Sequence, residues 1–148
     1  MVIITSNESE TVSEGERLGR RLAPGAVVAL YGELGAGKTA FTCGLAKGLG
    51  IEMSISSPTF TIVNEYPGDV PLFHFDMYRL ETENELFDIG WDDYLERDGV
   101  CAVEWSEKAA GAFPPGTITV RMENLGGDKR RLEISGEFPT GDSPAGLM

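Results

Sequence analysis

The sequence has 148 residues, enough for a single domain with a buried core, and its 24 acidic against 12 basic residues leave a net charge of −12. So acidic a balance argues against a tight, unaided grip on nucleic acid, which normally shows itself as a basic patch. No apolar run approaches the length of a membrane span, and the opening MVIITSNESE lacks the basic-then-apolar order of a secretory leader, so the chain is expected in the cytoplasm.

Val2 to Thr5 reads as a short strand. Ser6 or Asn7 then caps a helix, with Asn7 and Glu10 at capping-box spacing. Val12, Gly15, Leu18, Gly19 and Leu22 share one face of that helix, and Pro24-Gly25 closes the unit. An apolar strand over residues 26–31 leads into GELGAGKT, and a helix follows to about Leu49, stopped by Gly48 and Gly50. After a polar loop, Thr59 to Tyr66 and Pro71 to Asp76 read as strands joined by Pro67-Gly68-Asp69, a hairpin signal. Residues 82–97 suggest two short helices split by Gly90. Val100 to Glu104 is a buried strand, and Thr117 to Glu123 pairs with Arg130 to Ser135 in a second hairpin around Gly126-Gly127. From Gly136 the chain is all turn formers with little to bury, so the expectation is one domain over residues 1–135 and a disordered tail over 136–148. Cys43 and Cys101 lie in apolar patterns and read as buried small hydrophobes, not as a metal pair.

Strands alternating with helices around a glycine loop predict an α/β domain of the phosphate-loop NTPase type. Its central sheet, with helices on both faces, is mixed because two hairpins feed it. The stretch GELGAGKT has Gly32, Gly37, Lys38 and Thr39 at the places required by G-x-x-x-x-G-K-[ST]. Side chains would block the approach of backbone N–H groups to phosphate oxygens, and glycines do not. The following helix adds its unpaired N–H groups and the positive end of its dipole. Lys38 can then reach the outer phosphates, and the Thr39 hydroxyl can ligate Mg²⁺.

Such a loop needs an acid at a nearby strand end for the metal. Asp76 ends PLFHFD and Glu104 ends GVCAVE, and the residues alone leave open which of them acts. Trp105 follows Glu104, so an indole is expected close to the site. Arg79 could pair with a carboxylate, a phosphate or nothing. His74, the only histidine, reads as a core or strand-end residue before a catalytic one. Thr59, in SPTF, has a place where phosphate-loop proteins often sense the outer phosphate. Residues 81 to 107 hold ten acids and one base, Arg97, a net charge of −9. That run is a solvated helical face or a docking surface for a basic partner.

Taken in order, GELGAGKT, SPTFTIVNEY, HFDMYRL and VEW in so short a chain resemble the TsaE family, from about residue 5 to 134. The resemblance implies a small bacterial ATPase that binds ATP and Mg²⁺ and yields ADP as product. It would hydrolyse ATP slowly, acting as a switch with the TsaB and TsaD proteins, in making threonylcarbamoyladenosine at position 37 of tRNAs that read codons starting with A. It also implies ATP contacts from Gly32, Leu34, Gly35, Ala36, Gly37, Lys38 and Thr39, with Glu8 at the start of the first helix as a further contact. It assigns Mg²⁺ to Thr39 and Glu104, and functional roles to Asp76 and Thr59. Ala40 departs from the threonine that many members repeat there, which leaves the metal ligand intact. Two other readings share the loop: a small-molecule kinase, and a nucleotide-binding interaction module without turnover.

Overall fold

Asn7 sets the first helix. Its side chain accepts from the Glu10 N–H at 2.9 Å, and Glu10 reaches back to the Ser6 N–H at 2.8 Å, so two backbone donors at this end are satisfied. A computed structural model describes residues 1–33, 35–52, 55, 63–78, 81, 82 and 84–136. In chain order the elements are β1 (Val2–Thr5), α1 (Glu8–Gly19), β2 (Val27–Tyr31), α2 (Lys38–Gly48), β3 (Val63–Tyr66) and β4 (Leu72–Asp76). They continue with α3 (Asn84–Asp88), α4 (Trp91–Glu96), β5 (Val100–Glu104), a 3-10 helix (Ser106–Ala112), β6 (Ile118–Gly126) and β7 (Lys129–Ser135). The predicted tail beyond Gly136, residues 59–62 of the predicted third strand, and Leu34, Thr59, Arg79 and Glu83 lie outside the described residues.

Among the described residues the strands form one sheet in the order β1-β7-β6-β2-β5-β4-β3. β6, β2, β5 and β4 run parallel, while the hairpins β3–β4 and β6–β7 and the pairing of β1 with β7 are antiparallel. The sheet is mixed and carries both predicted hairpins. The second hairpin is longer than expected, because β6 runs on through an irregularity at Asn124 to Gly126, which pairs with Lys129. The 3-10 helix after β5 had no signal in the sequence.

Alternation along β2 divides the core in two. Val28 and Leu30 pack with Leu18, Phe41 and Leu45 of α1 and α2, while Val27 joins Phe73, Phe75, Trp91 and Val103 on the other face. There Trp91 is fully buried, edge-on to Phe75 at 5.1 Å, with its indole N–H donated to the Ala112 carbonyl at 3.2 Å. Helices therefore cover both faces, but the second face is covered only over β2, β5 and β4. Along β6 and β1 its side chains, among them Val2, Ile4, Arg121 and Glu123, are exposed.

α1 and α2 touch through their backbones. A Cβ on Gly15 would lie 2.2 Å from the Phe41 carbonyl oxygen, one on Gly44 2.0 Å from that of Val12, and one on Gly48 2.4 Å from that of Glu16. Gly48 thus has a different role from the predicted one: it is the last residue of α2 and a contact point with α1. The turn out of the helix falls to Gly50, whose φ of +82° suits glycine.

Candidate functional site

β2 delivers the chain to the carboxyl end of the sheet, where ligands of open α/β sheets bind. The loop then bends through Gly32, Gly35 and Gly37, with φ of +151°, +81° and +97°. Room is the second reason for glycine at two of them. A Cβ on Gly32 would fall 2.6 Å from the Met122 carbonyl oxygen, and one on Gly37 3.3 Å from the Met122 side chain. Gly37 caps α2 with no side-chain hydrogen bond, and the first turn of α2 holds no acid. The helix therefore presents its N-terminal N–H groups and dipole without a competing carboxylate.

Lys38 is only 5% exposed. Its ammonium donates to the Gly32 carbonyl at 2.5 Å and lies 3.7 Å over the Trp105 ring. Burial pulls its pKa below the usual lysine range, against the nearby carboxylates of Glu104, Glu107 and Asp76. Trp105 holds it from a left-handed backbone, φ 58°, the only positive φ outside glycine among the described residues. Such a conformation costs of order 1–3 kcal/mol and marks strain kept at a functional place. Tyr78 lies against the same indole, ring centres 5.0 Å apart.

The two acids stand side by side, since Asp76 of β4 is the register partner of Glu104 of β5. Their surroundings differ. Glu104 is buried, 4% exposed; its carboxylate lies 3.3 and 3.4 Å from the Thr39 hydroxyl and 2.5 Å from His74 Nε2. Asp76 is half-buried and accepts the Tyr78 N–H at 3.0 Å. Burial raises its pKa above the usual carboxylate range, the Tyr78 N–H works against that, and the charge of Glu104 adds to it. The Thr39 hydroxyl and the Glu104 carboxylate make an all-oxygen pair. That suits Mg²⁺, which takes one or two protein oxygens and fills its octahedron with water and phosphate.

The structure brings together Gly32, Gly35, Ala36, Gly37, Lys38, Thr39, Asp76 and Glu104. Glu8 comes to the far side of Gly37, in a small cavity of about 50 Å³ with Thr11, Ala40, Asp128 and Arg130. Leu34 and Thr59 lie outside the described residues. Three residues at the loop were missed. Met122 backs Gly32 and Gly37, Arg130 lies beside Gly37, and the Asn124 amide donates to the Gly35 carbonyl at 3.5 Å. No local pattern marks them, because the parallel pairing of β2 with β6 brings them in from 85 or more residues away. His74, read as a core or strand-end residue, is in the core, and it also touches the site. Cys101 is buried as expected, whereas Cys43 is half-buried.

Residues 5–132 match the family model described as threonylcarbamoyl adenosine biosynthesis protein TsaE. Curated relatives are named tRNA threonylcarbamoyladenosine biosynthesis protein TsaE. The one from Treponema pallidum is 40% identical over 91% of this chain and 100% of its own length. That from Bacillus subtilis is 43% identical over 88% of this chain and 82% of its own. The Nostoc protein is 44% identical over 90% and 84%. Among solved structures, the crystal structure of Bacillus subtilis YdiB superposes with a TM-score of 0.75 at 35% identity, covering 92% of this chain and 84% of that one.

Proposed function

This chain belongs to the TsaE family of tRNA threonylcarbamoyladenosine biosynthesis proteins, and from that premise we propose that it is a Mg²⁺-dependent ATPase serving that modification as a switch. The product would be threonylcarbamoyladenosine at position 37 of tRNAs reading codons that start with A, made with TsaB and TsaD in the cytoplasm. The observation that carries the reading is the placing of three groups at the bare N-terminus of α2. Among the described residues the Lys38 ammonium is held by a carbonyl and an aromatic face, and beside it the Thr39 hydroxyl lies 3.3 Å from the buried Glu104 carboxylate.

The loop N–H groups and the α2 dipole would bind the phosphates of ATP. Lys38 would leave the Gly32 carbonyl for the outer phosphates, exchanging one oxygen partner for a charged one. Bound between Thr39 and Glu104, Mg²⁺ would neutralise charge building on the phosphate oxygens. Asp76, half-buried and with its pKa raised by that burial, is suited to orient a water, leaving the metal to Thr39 and Glu104. Hydrolysis in such sites depends on positioning, which a partner protein can complete, so slow turnover alone is expected.

The experiment is ATP turnover by the chain alone and with a TsaB–TsaD pair, with and without tRNA. A low rate that rises with partners supports the reading. No Mg²⁺-dependent nucleotide binding under any condition overturns it. Tight binding with no turnover even in the complex would favour an interaction module. A kinase reading gains nothing from the structure, since Glu104, Glu107 and Asp76 surround Lys38 where an anionic acceptor would have to approach.

A further inference from the structure

Trp105 follows the last residue of β5 and leads into the 3-10 helix, at φ 58° and ψ 44°. A left-handed turn suits glycine, so a tryptophan in this one keeps a strain that glycine would remove. The turn places the ring. It brings the indole face to the Lys38 ammonium, with Nζ 3.7 Å from the ring centre, and Tyr78 packs against the same indole.

The neighbours of Lys38 give that placing a purpose. The carboxylates of Glu104, Glu107 and Asp76 are all near enough for their charge to act on the ammonium. An ion pair with one of them would neutralise its charge and fix a donor in a charge-assisted hydrogen bond. Among the described residues the ammonium instead has the Gly32 carbonyl at 2.5 Å and the ring face. A ring face attracts a cation without taking a directional hydrogen bond, so the other ammonium N–H groups stay available to a phosphate. We propose that Trp105 is a positioning residue for the phosphate site: its ring holds the Lys38 ammonium off the acids and presents it to an incoming phosphate. It acts through Lys38, and the strained backbone serves to aim the ring.

The proposal rests on the nucleotide reading above, and its test separates the two. The first arm uses the protein without nucleotide. In ¹³C–¹H spectra the Lys38 ε-methylene protons, assigned from their loss in K38A, should be shifted upfield by the indole ring current. An unshifted signal overturns the proposal. The second arm measures metal-free ADP binding for wild type, W105F, W105L, W105G, K38A and W105L/K38A. W105L should weaken binding by about fivefold or more, and W105F, which keeps a weaker ring face, by less. Glycine relieves the left-handed strain but brings no ring, so W105G should bind ADP as weakly as W105L. In the K38A background the W105L change should alter binding by less than about twofold, because the residue through which the ring acts is gone. Full binding by W105G, tighter binding by W105L, or the same loss from W105L with and without Lys38 overturns the proposal. A wild type that shows the shift but binds no ADP overturns the nucleotide reading instead, and the role of Trp105 falls with it.

Discussion

Lys38, Asp76 and Glu104 converge on one point, yet they should fail in different ways. Lys38→Ala removes the cation held over Trp105, and calorimetry should show weaker ATP binding with near-normal circular dichroism. Because the ammonium lies 3.7 Å from the indole, the variant should also shift Trp105 emission before any nucleotide is added. Glu104→Ala removes the carboxylate between the His74 ring and the Thr39 hydroxyl and should remove Mg²⁺-dependent binding, a loss of at least about 10-fold, or 1.4 kcal/mol. Asp76→Ala should spare the metal dependence and lower turnover. A reversed result would exchange the roles of the two acids. Thiol labelling offers a separate check. Burial pushes the Cys101 thiol up to about 12 and raises Cys43 by less, so at pH 8 Cys43 should react slowly and Cys101 only after unfolding. The glycine loop was legible because its motif and its three positive-φ glycines lie within eight consecutive residues. The link of His74 to Glu104 was not, since it depends on a parallel register between strands 30 residues apart. The left-handed turn at Trp105 was hidden too, because nothing about tryptophan asks for a positive φ.

The α1–α2 pair shows how far an element can be read. Its apolar face, with Gly15 and Gly19, was visible in the helical spacing, but the matching Gly44 and Gly48 were not recognised as its counterpart. Glycine near a helix end reads first as a stop. Their use is close approach, and it sets two effects against each other. Gly44→Ala gains up to about 1 kcal/mol in helix propensity. It also sets a Cβ 2.0 Å from the Val12 carbonyl oxygen, where the contact is backbone and cannot rotate away. Overpacking of that kind costs about 1–3 kcal/mol or more, so the net should be a lower denaturation midpoint. At the other end of α1, Asn7→Ala should cost about 0.5–2 kcal/mol through the lost cap, with no effect on nucleotide binding. A midpoint unchanged in Gly44→Ala would mean that the helices can part without cost.

At the scale of the molecule, charge is uneven. Glu104 leaves the acidic run for the site, while Glu81, Asp88, Asp92, Asp93, Glu96, Asp98 and Glu107 stay exposed. Arg97, the one base, is already paired with Glu65 at 2.9 Å. Such a face attracts a basic partner over about 8–10 Å and acts mainly on the association rate. Changing Asp92, Asp93 and Glu96 to lysine should slow association with a TsaB–TsaD pair at low salt and flatten its salt dependence, with ATP binding unchanged. Surface-based kinetics at two salt concentrations would show it, and equal rates would return the face to ordinary solvation. The sheet order has a consequence of another kind. β1 is joined to the sheet only through β7, and the Met1 ammonium donates to the Ile134 carbonyl at 3.0 Å. On the ribosome, the earliest of these seven strands to emerge is therefore among the last to be paired. Throughout synthesis, Val2 to Thr5 wait as an open edge, three of its four residues apolar, for a strand about 130 residues behind. A chain halted before Lys129 would never close that edge, and it should be found in aggregates even though every residue of the glycine loop has been made.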